Sequence, residues 1–236
     1  MSANILWLYD DLLDLYGDSG NLLILCNRLK KMGLEPKVSR LSLGDTLDFN
    51  LYDLIYIGPG KAKNLAKASE HLAPYAGRMK EAVESGRVFF VTGNARLLFG
   101  KNFIGWDGNT YPGVGLFDYT GRETGNVFIS DVVASPVFAP DTPGYGFINR
   151  TAHIDGNNGD WLFTLRSGVG DNETETEHEG NLLHNFFGTW QLGPVLVKNP
   201  HLLCEVLRRV AGDQYRDPDN TLEQKALDLT LEEFGL

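Results

Sequence analysis

Two short turns in this sequence have the residue types and spacing that backbone-assisted chemistry needs. Gly58-Pro59-Gly60 follows the apolar run from Leu54 to Ile57. Glycines in such a turn let backbone N–H groups approach an anion or an oxyanion. Thr92-Gly93-Asn94 follows the apolar run from Val88 to Val91 and precedes Arg96 to Gly100. A strand, a sharp turn of small residues and a helix make the layout of a nucleophile elbow. That layout lifts one side chain to a helix N-terminus, where a thiolate is stabilised. The turn holds neither cysteine nor serine, and Thr92 supplies its one hydroxyl.

Other chemically able side chains lie elsewhere. Cys26 and Cys204 fall in helical apolar patterns and read as core or near-core thiols. His153 follows Gly146-Phe147-Ile148-Asn149 and is placed to line a site beside the turns. His184 precedes the strand that ends near Gln191. From Asp171 to Glu179 an acid stands at every second position, with His178 among them. A metal site is conceivable there, but the alternation fits a solvated hairpin tip better. No metal or cofactor is expected.

The elements that position these groups follow from periodicity. Ile5 to Tyr9, Leu54 to Ile57 and Val88 to Val91 read as strands, the last apolar throughout as in a strand buried on both faces. Leu22, Leu25, Cys26, Leu29 and Met32 recur at helical spacing, with Asp18 or Ser19 to cap and Gly33 to end the helix. Ala66 to Ser85 reads as largely helical. The alternation implies an α/β fold with a mostly parallel, flavodoxin-like sheet flanked by helices. Residues 101 to 185, rich in Gly, Asn, Thr and aromatics, read as β-hairpin additions. Phe186 to Trp190 reads as a strand. Asn199 and Pro200 start a helix that Gly212 ends. The expected division is a domain at 1–212, then a polar linker and a C-terminal amphipathic helix at 213–236, opened by a Thr221–Gln224 capping box.

Composition bounds the function. The chain has 236 residues, 42% of them apolar, with 31 acids against 21 bases. A net charge of −10 disfavours non-specific binding to nucleic acid or anionic membranes. The first residues, Met1 to Asp11, lack a basic, apolar leader, and no apolar run approaches the ~18 residues that span a bilayer. A cytoplasmic protein is expected.

Leu15-Tyr16-Gly17-Asp18-Ser19-Gly20-Asn21 resembles an opening motif of the CobB/CobQ-like class I glutamine amidotransferases, closest to the GatD-type glutaminase subunits of lipid II isoglutaminyl synthase. Further motifs come in the order of that family. They are Ile57 to Gly60, Gly113 to Asp118, Arg122 ahead of Gly125-Asn126, Gly146 to Asn149, and Gly188 to Leu196 with Lys198-Asn199-Pro200 behind it. The resemblance implies that an elbow cysteine attacks the amide of glutamine, a histidine handles protons and backbone N–H groups hold the oxyanion. It also implies a heterodimer in which ammonia passes to a Mur-ligase-like (MurT-type) synthetase. Arg122 matches a glutamine-binding arginine.

The departures fall on the chemistry. Gly93 stands at the nucleophile position, flanked by Thr92 and Asn94. Leu192 stands where the family carries its histidine. Pro59, which has no N–H, is the middle residue of the oxyanion turn Gly58-Pro59-Gly60. His184 lies eight residues before Leu192, roughly 25 Å along an extended strand. Loss of a nucleophile or its base costs about 10⁴- to 10⁶-fold in rate. The expectation is a non-hydrolytic subunit. Alternatives are an active glutaminase with a rearranged site and a small-ligand sensor using Arg122.

Overall fold

A computed structural model describes residues 1–236. Its first half alternates strands and helices: β1 (Ser2–Leu8), α1 (Gly20–Lys31), β2 (Glu35–Leu41), β3 (Leu54–Ile57), α2 (Ala62–Leu72), α3 (Ala76–Glu84) and β4 (Val88–Thr92). A tight 3₁₀ turn, Gly93–Phe99, follows β4. Next come β5 (Asn102–Ile104), β6 (Thr110–Pro112), β7 (Thr120–Pro136), β8 (Gly144–Asp155), β9 (Phe163–Ser167), β10 (His178–Glu179), β11 (Asn181–Leu183), β12 (Phe186–Thr189) and β13 (Gln191–Leu192). The chain closes with α4 (Val195–Lys198), α5 (Pro200–Ala211) and α6 (Thr221–Glu233).

The main sheet runs β11-β12-β4-β3-β1-β2 and is parallel except for β11. It is the flavodoxin-like sheet that the alternating pattern implies. Every residue of β3 and β4 is buried, which explains their unbroken apolar character. In register, Ile57 lies beside Val91 and Thr92 beside Thr189. The carboxyl ends of β3, β4 and β12 therefore meet, and the turns after them share one edge, where open α/β sheets bind ligands.

A second sheet carries the hairpins. The order is β10-β9-β7-β5-β6, with β8 joining β7 to β13. The long β7–β8 ribbon is bulged between Glu123 and Phe128. The pairing of β13 with β8 sets Leu192 opposite Phe147 and so ties the second sheet to the edge of the first.

Local expectations are corrected at several points. Residues 66–85 are largely helical, in two helices rather than a single run. Pro74 lacks an N–H, and a 3₁₀ turn at Ala73–Tyr75 separates α2 from α3. Edge strand β2 went unread because its residues are exposed or half-buried and charged. The side chain of Ser19 does not cap α1, and Asp18 turns into the core. Asn199 does not cap α5 either. Its side chain bonds Tyr145 N and O and the Val195 carbonyl. No Thr221–Gln224 box forms, since Asp219 accepts from the amide and hydroxyl of Thr221 while Gln224 reaches Asp228.

Helix α6 packs Leu227 and Leu231 on Val133 and Tyr145, and Arg28 donates to Glu223 at 2.5 Å. No helix is long and apolar enough to cross a membrane.

Candidate functional site: the edge formed by Pro59, Gly93 and Leu192

Strand β4 ends at Thr92 in extended backbone, and the next residue, Gly93, takes φ +59°. Left-handed backbone costs a side-chain-bearing residue about 1–2 kcal/mol, so glycine is the relaxed choice at this reversal. The surroundings are also closed. A Cβ on Gly93 would lie 2.7 Å from Cβ of Pro59 and 2.9 Å from Cδ2 of Leu192. Pro59 and Leu192 thus both close on Gly93, and all three residues are buried. A pyrrolidine ring and a leucine side chain occupy the space around the elbow.

The turn after β3 is tied to the elbow by Asn94. Its carboxamide accepts from Gly60 N at 2.9 Å and donates to Gly60 O at 2.7 Å. Pro59 offers no donor, and the Gly60 N–H is engaged. A free pair of N–H groups, the requirement for holding an oxyanion, is absent at Pro59 and Gly60.

Beneath the elbow lies a buried carboxylate. Asp18 accepts from the hydroxyl of Thr92, from Tyr56 OH at 2.9 Å and from Gly193 N at 3.2 Å. Burial pushes the Asp18 pKa up, and the hydrogen bonds from Thr92, Tyr56 and Gly193 oppose that rise. Tyr56 is held well above its usual value by burial and then by Asp18. Thr92 has a carboxylate partner, yet its side chain is 0% exposed. It links β4, β3 and the start of α1, and no substrate can reach it in this conformation.

A cleft of about 160 Å³ opens beside this edge, lined among others by Tyr16, Lys61, Asn94, Asn149, Thr151 and Leu192. Arg122 is not in its lining. It is exposed on β7, directly opposite His153 on β8. His153 pairs with Asp155 at 3.1 Å and does not line the cleft. His184 sits exposed in the β11–β12 turn at φ +52°. Cys26 packs against the core and Cys204 accepts from Asn220. None of these reaches the elbow.

The acidic stretch is the solvated tip that alternation implied only in its middle, where Glu173 and Glu177 are exposed. Asp171 and Glu179 are 2% and 0% exposed. Both face Arg96, which is itself fully buried on the turn after the elbow. Arg96 meets Asp171 through two bonds, at 2.5 and 3.2 Å, Glu179 at 3.4 Å and Asn181 at 2.6 Å. Burial works against the Arg96 charge, but Asp171 and Glu179 hold its pKa above the ordinary value. Glu179 is pushed up by burial. It also accepts from Trp190 N, Thr189 OH and the Gln191 amide at 2.7, 2.7 and 3.1 Å. One ion cluster therefore fixes the segment that delivers Leu192 to Gly93. His178 stacks on Trp161 with ring centroids 5.0 Å apart. Sequence reasoning missed this cluster because Arg96 is 75 residues from Asp171 and 83 from Glu179, and a buried acid looks like an exposed one.

Comparison with known proteins agrees with this architecture. Residues 4–200 match the CobB/CobQ-like glutamine amidotransferase domain. The chain is 30% identical to the lipid II isoglutaminyl synthase (glutamine-hydrolyzing) subunit GatD of Staphylococcus aureus over 204 residues, 84% of this chain and 80% of that one. It is 31% identical to the GatD subunit of Streptococcus pneumoniae over 218 residues, 90% and 82% of the two chains. A solved structure described as a glutamine amidotransferase superposes with a TM-score of 0.51 at 16% identity, covering 87% of this chain and 98% of that one, a likeness of fold. With its motifs, its sheet order and these matches together, the chain belongs to the CobB/CobQ-like glutamine amidotransferase domain family.

Proposed function

We propose that this chain is a GatD-like subunit of a synthetase that amidates a peptidoglycan precursor, and that it serves its Mur-ligase-like (MurT-type) partner without hydrolysing glutamine. The observation that carries the proposal is the close approach of Pro59 and Leu192 to Gly93. A glutaminase of this kind needs a thiolate, a base and paired N–H donors around one point. Here that point is filled by groups that neither attack, move protons nor donate. Thr92 does not substitute, because it is buried and bonded to Asp18.

The similarity to GatD subunits over most of the chain supports the partner class and the substrate class, lipid II. The intact cleft beside the elbow supports a narrower second reading, in which glutamine or a similar molecule still binds and reports to the partner. Arg122 is the arginine proposed to reach that molecule.

Labelling with an electrophilic glutamine analogue, read by intact-protein mass spectrometry, tests the proposal. The expected result is no covalent adduct. An adduct that glutamine competes away would overturn it.

A further inference from the structure

A second pocket, of about 220 Å³, lies between α2 and the β5–β6 hairpin. It shares only Ala62 with the cleft beside the elbow. Glu123, on β7, contributes to its wall and is 8% exposed. One carboxylate oxygen accepts from Thr151 at 2.7 Å, and the other has no partner. A buried carboxylate oxygen left without a donor is costly, and such groups are normally paired. Burial pushes the Glu123 pKa up, opposed by the Thr151 bond. The mechanism of the family and the edge at Gly93 make no use of it.

The other lining groups restrict what satisfies that oxygen. Lys63 and Lys67 stand four residues apart on α2, neighbours on one helix face, and both line the pocket. Neither is in an ion pair within the chain. Asp107, also in the lining, is engaged by Asn109 and Tyr111. Trp106 remains 69% exposed beside the opening, and Tyr111 stacks on Phe103. Glu70 lines the pocket as well, so a simple anion would meet Glu70, Asp107 and Glu123, and a simple cation would meet the two lysines. A molecule with both charges and a short apolar body suits the acid, the lysine pair and the aromatic wall together.

We propose that this pocket binds a free α-amino acid, its ammonium on Glu123, its carboxylate on Lys63 and Lys67, and its side chain against Trp106. The charge-assisted bond to a buried carboxylate fixes the amino end, and the lysine pair selects against amines that lack an acid. The site is independent of the proposed loss of hydrolysis.

Titration followed by NMR shifts, with L-norleucine, N-acetyl-L-norleucine and pentylamine as probes, tests the assignment. L-Norleucine is expected to bind. The acetylated form, without an ammonium, and pentylamine, without a carboxylate, are expected to bind about tenfold or more weakly. Glu123→Gln is expected to weaken L-norleucine by a similar factor. Trp106→Ala, at an exposed position that the fold does not need, is expected to weaken it too. Failure of L-norleucine to bind overturns the proposal. So does equal binding by Glu123→Gln, or a preference for pentylamine.

Discussion

A Cβ on Gly93 would stand 2.9 Å from Cδ2 of Leu192, closer than real Cβ contacts come. Gly93, on the turn after β4, and Leu192, on β13, are therefore fitted to each other. With Pro59 at 2.7 Å on another side, a side chain at position 93 needs its neighbours to change as well.

Adding a side chain at position 93 alone should destabilise the fold. Gly93→Cys places a Cβ in left-handed backbone and against a rigid proline ring. The expected loss is about 2–5 kcal/mol, or roughly 5–15 °C in Tm for a chain of this size. Adding Pro59→Gly and Leu192→His removes the proline ring and replaces the leucine branch with a planar ring, and should recover about half of that loss or more. Thermal melts of the single and triple variants check this. A single variant as stable as the parent would refute the packing argument.

Asp18 gives stability a pH dependence of known sign. Burial raises its folded pKa above that of the unfolded chain. Its contribution is complete below the unfolded carboxylate value, about 4, and is lost as pH rises through the folded value. Asp18→Asn removes that titration and should flatten the fall of stability above about pH 4. Urea unfolding across this range measures it. An unchanged slope would show that Asp18 is already ionised without cost.

The ion cluster around Arg96 predicts an asymmetric result. Arg96→Met leaves Asp171 and Glu179 buried without their cation, and should cost about 3–5 kcal/mol. Glu173→Gln, at a half-exposed side chain 3.6 Å from Arg150, should cost under about 1 kcal/mol. Equilibrium denaturation of the two variants distinguishes them. Similar values would mean that the cluster does not hold the segment carrying Leu192.

The sheet and the turns were legible because their signals are local. Val88 to Val91 is apolar throughout, Gly58 and Gly93 end their strands, and small residues mark the βα turns. The closure of the site was legible only in part. Gly93, Pro59 and Leu192 can each be picked out by motif, but their contact depends on the register of β13 with β8 and of β12 with β4. Asp18 read as a helix cap because its motif ends where α1 starts, and only the fold carries Thr92, Tyr56 and Gly193 to it. Asp171 and Glu179 lie in a pattern that local reasoning assigns to water. Their partner, Arg96, comes from the far side of the sheet's connection.

The segment 213–236 should behave as a docked appendage of the 1–212 domain. Its helix is held by Leu227, Leu231 and the Arg28–Glu223 pair. Leu227→Asp should lower its local stability by about 2–4 kcal/mol and expose the linker to protease while the rest stays resistant. Limited proteolysis with mass spectrometry reads this directly. Unchanged cleavage would show that α6 is held by other contacts.

The central claim is that glutamine is not hydrolysed at this elbow. The most direct measurement is release of glutamate and ammonia from glutamine by the purified chain, alone and with its co-expressed Mur-ligase-like partner. The account predicts a stable complex and no release above a protein-free blank in either case. Turnover that follows the amount of this chain, and is lost when it is omitted, would contradict it.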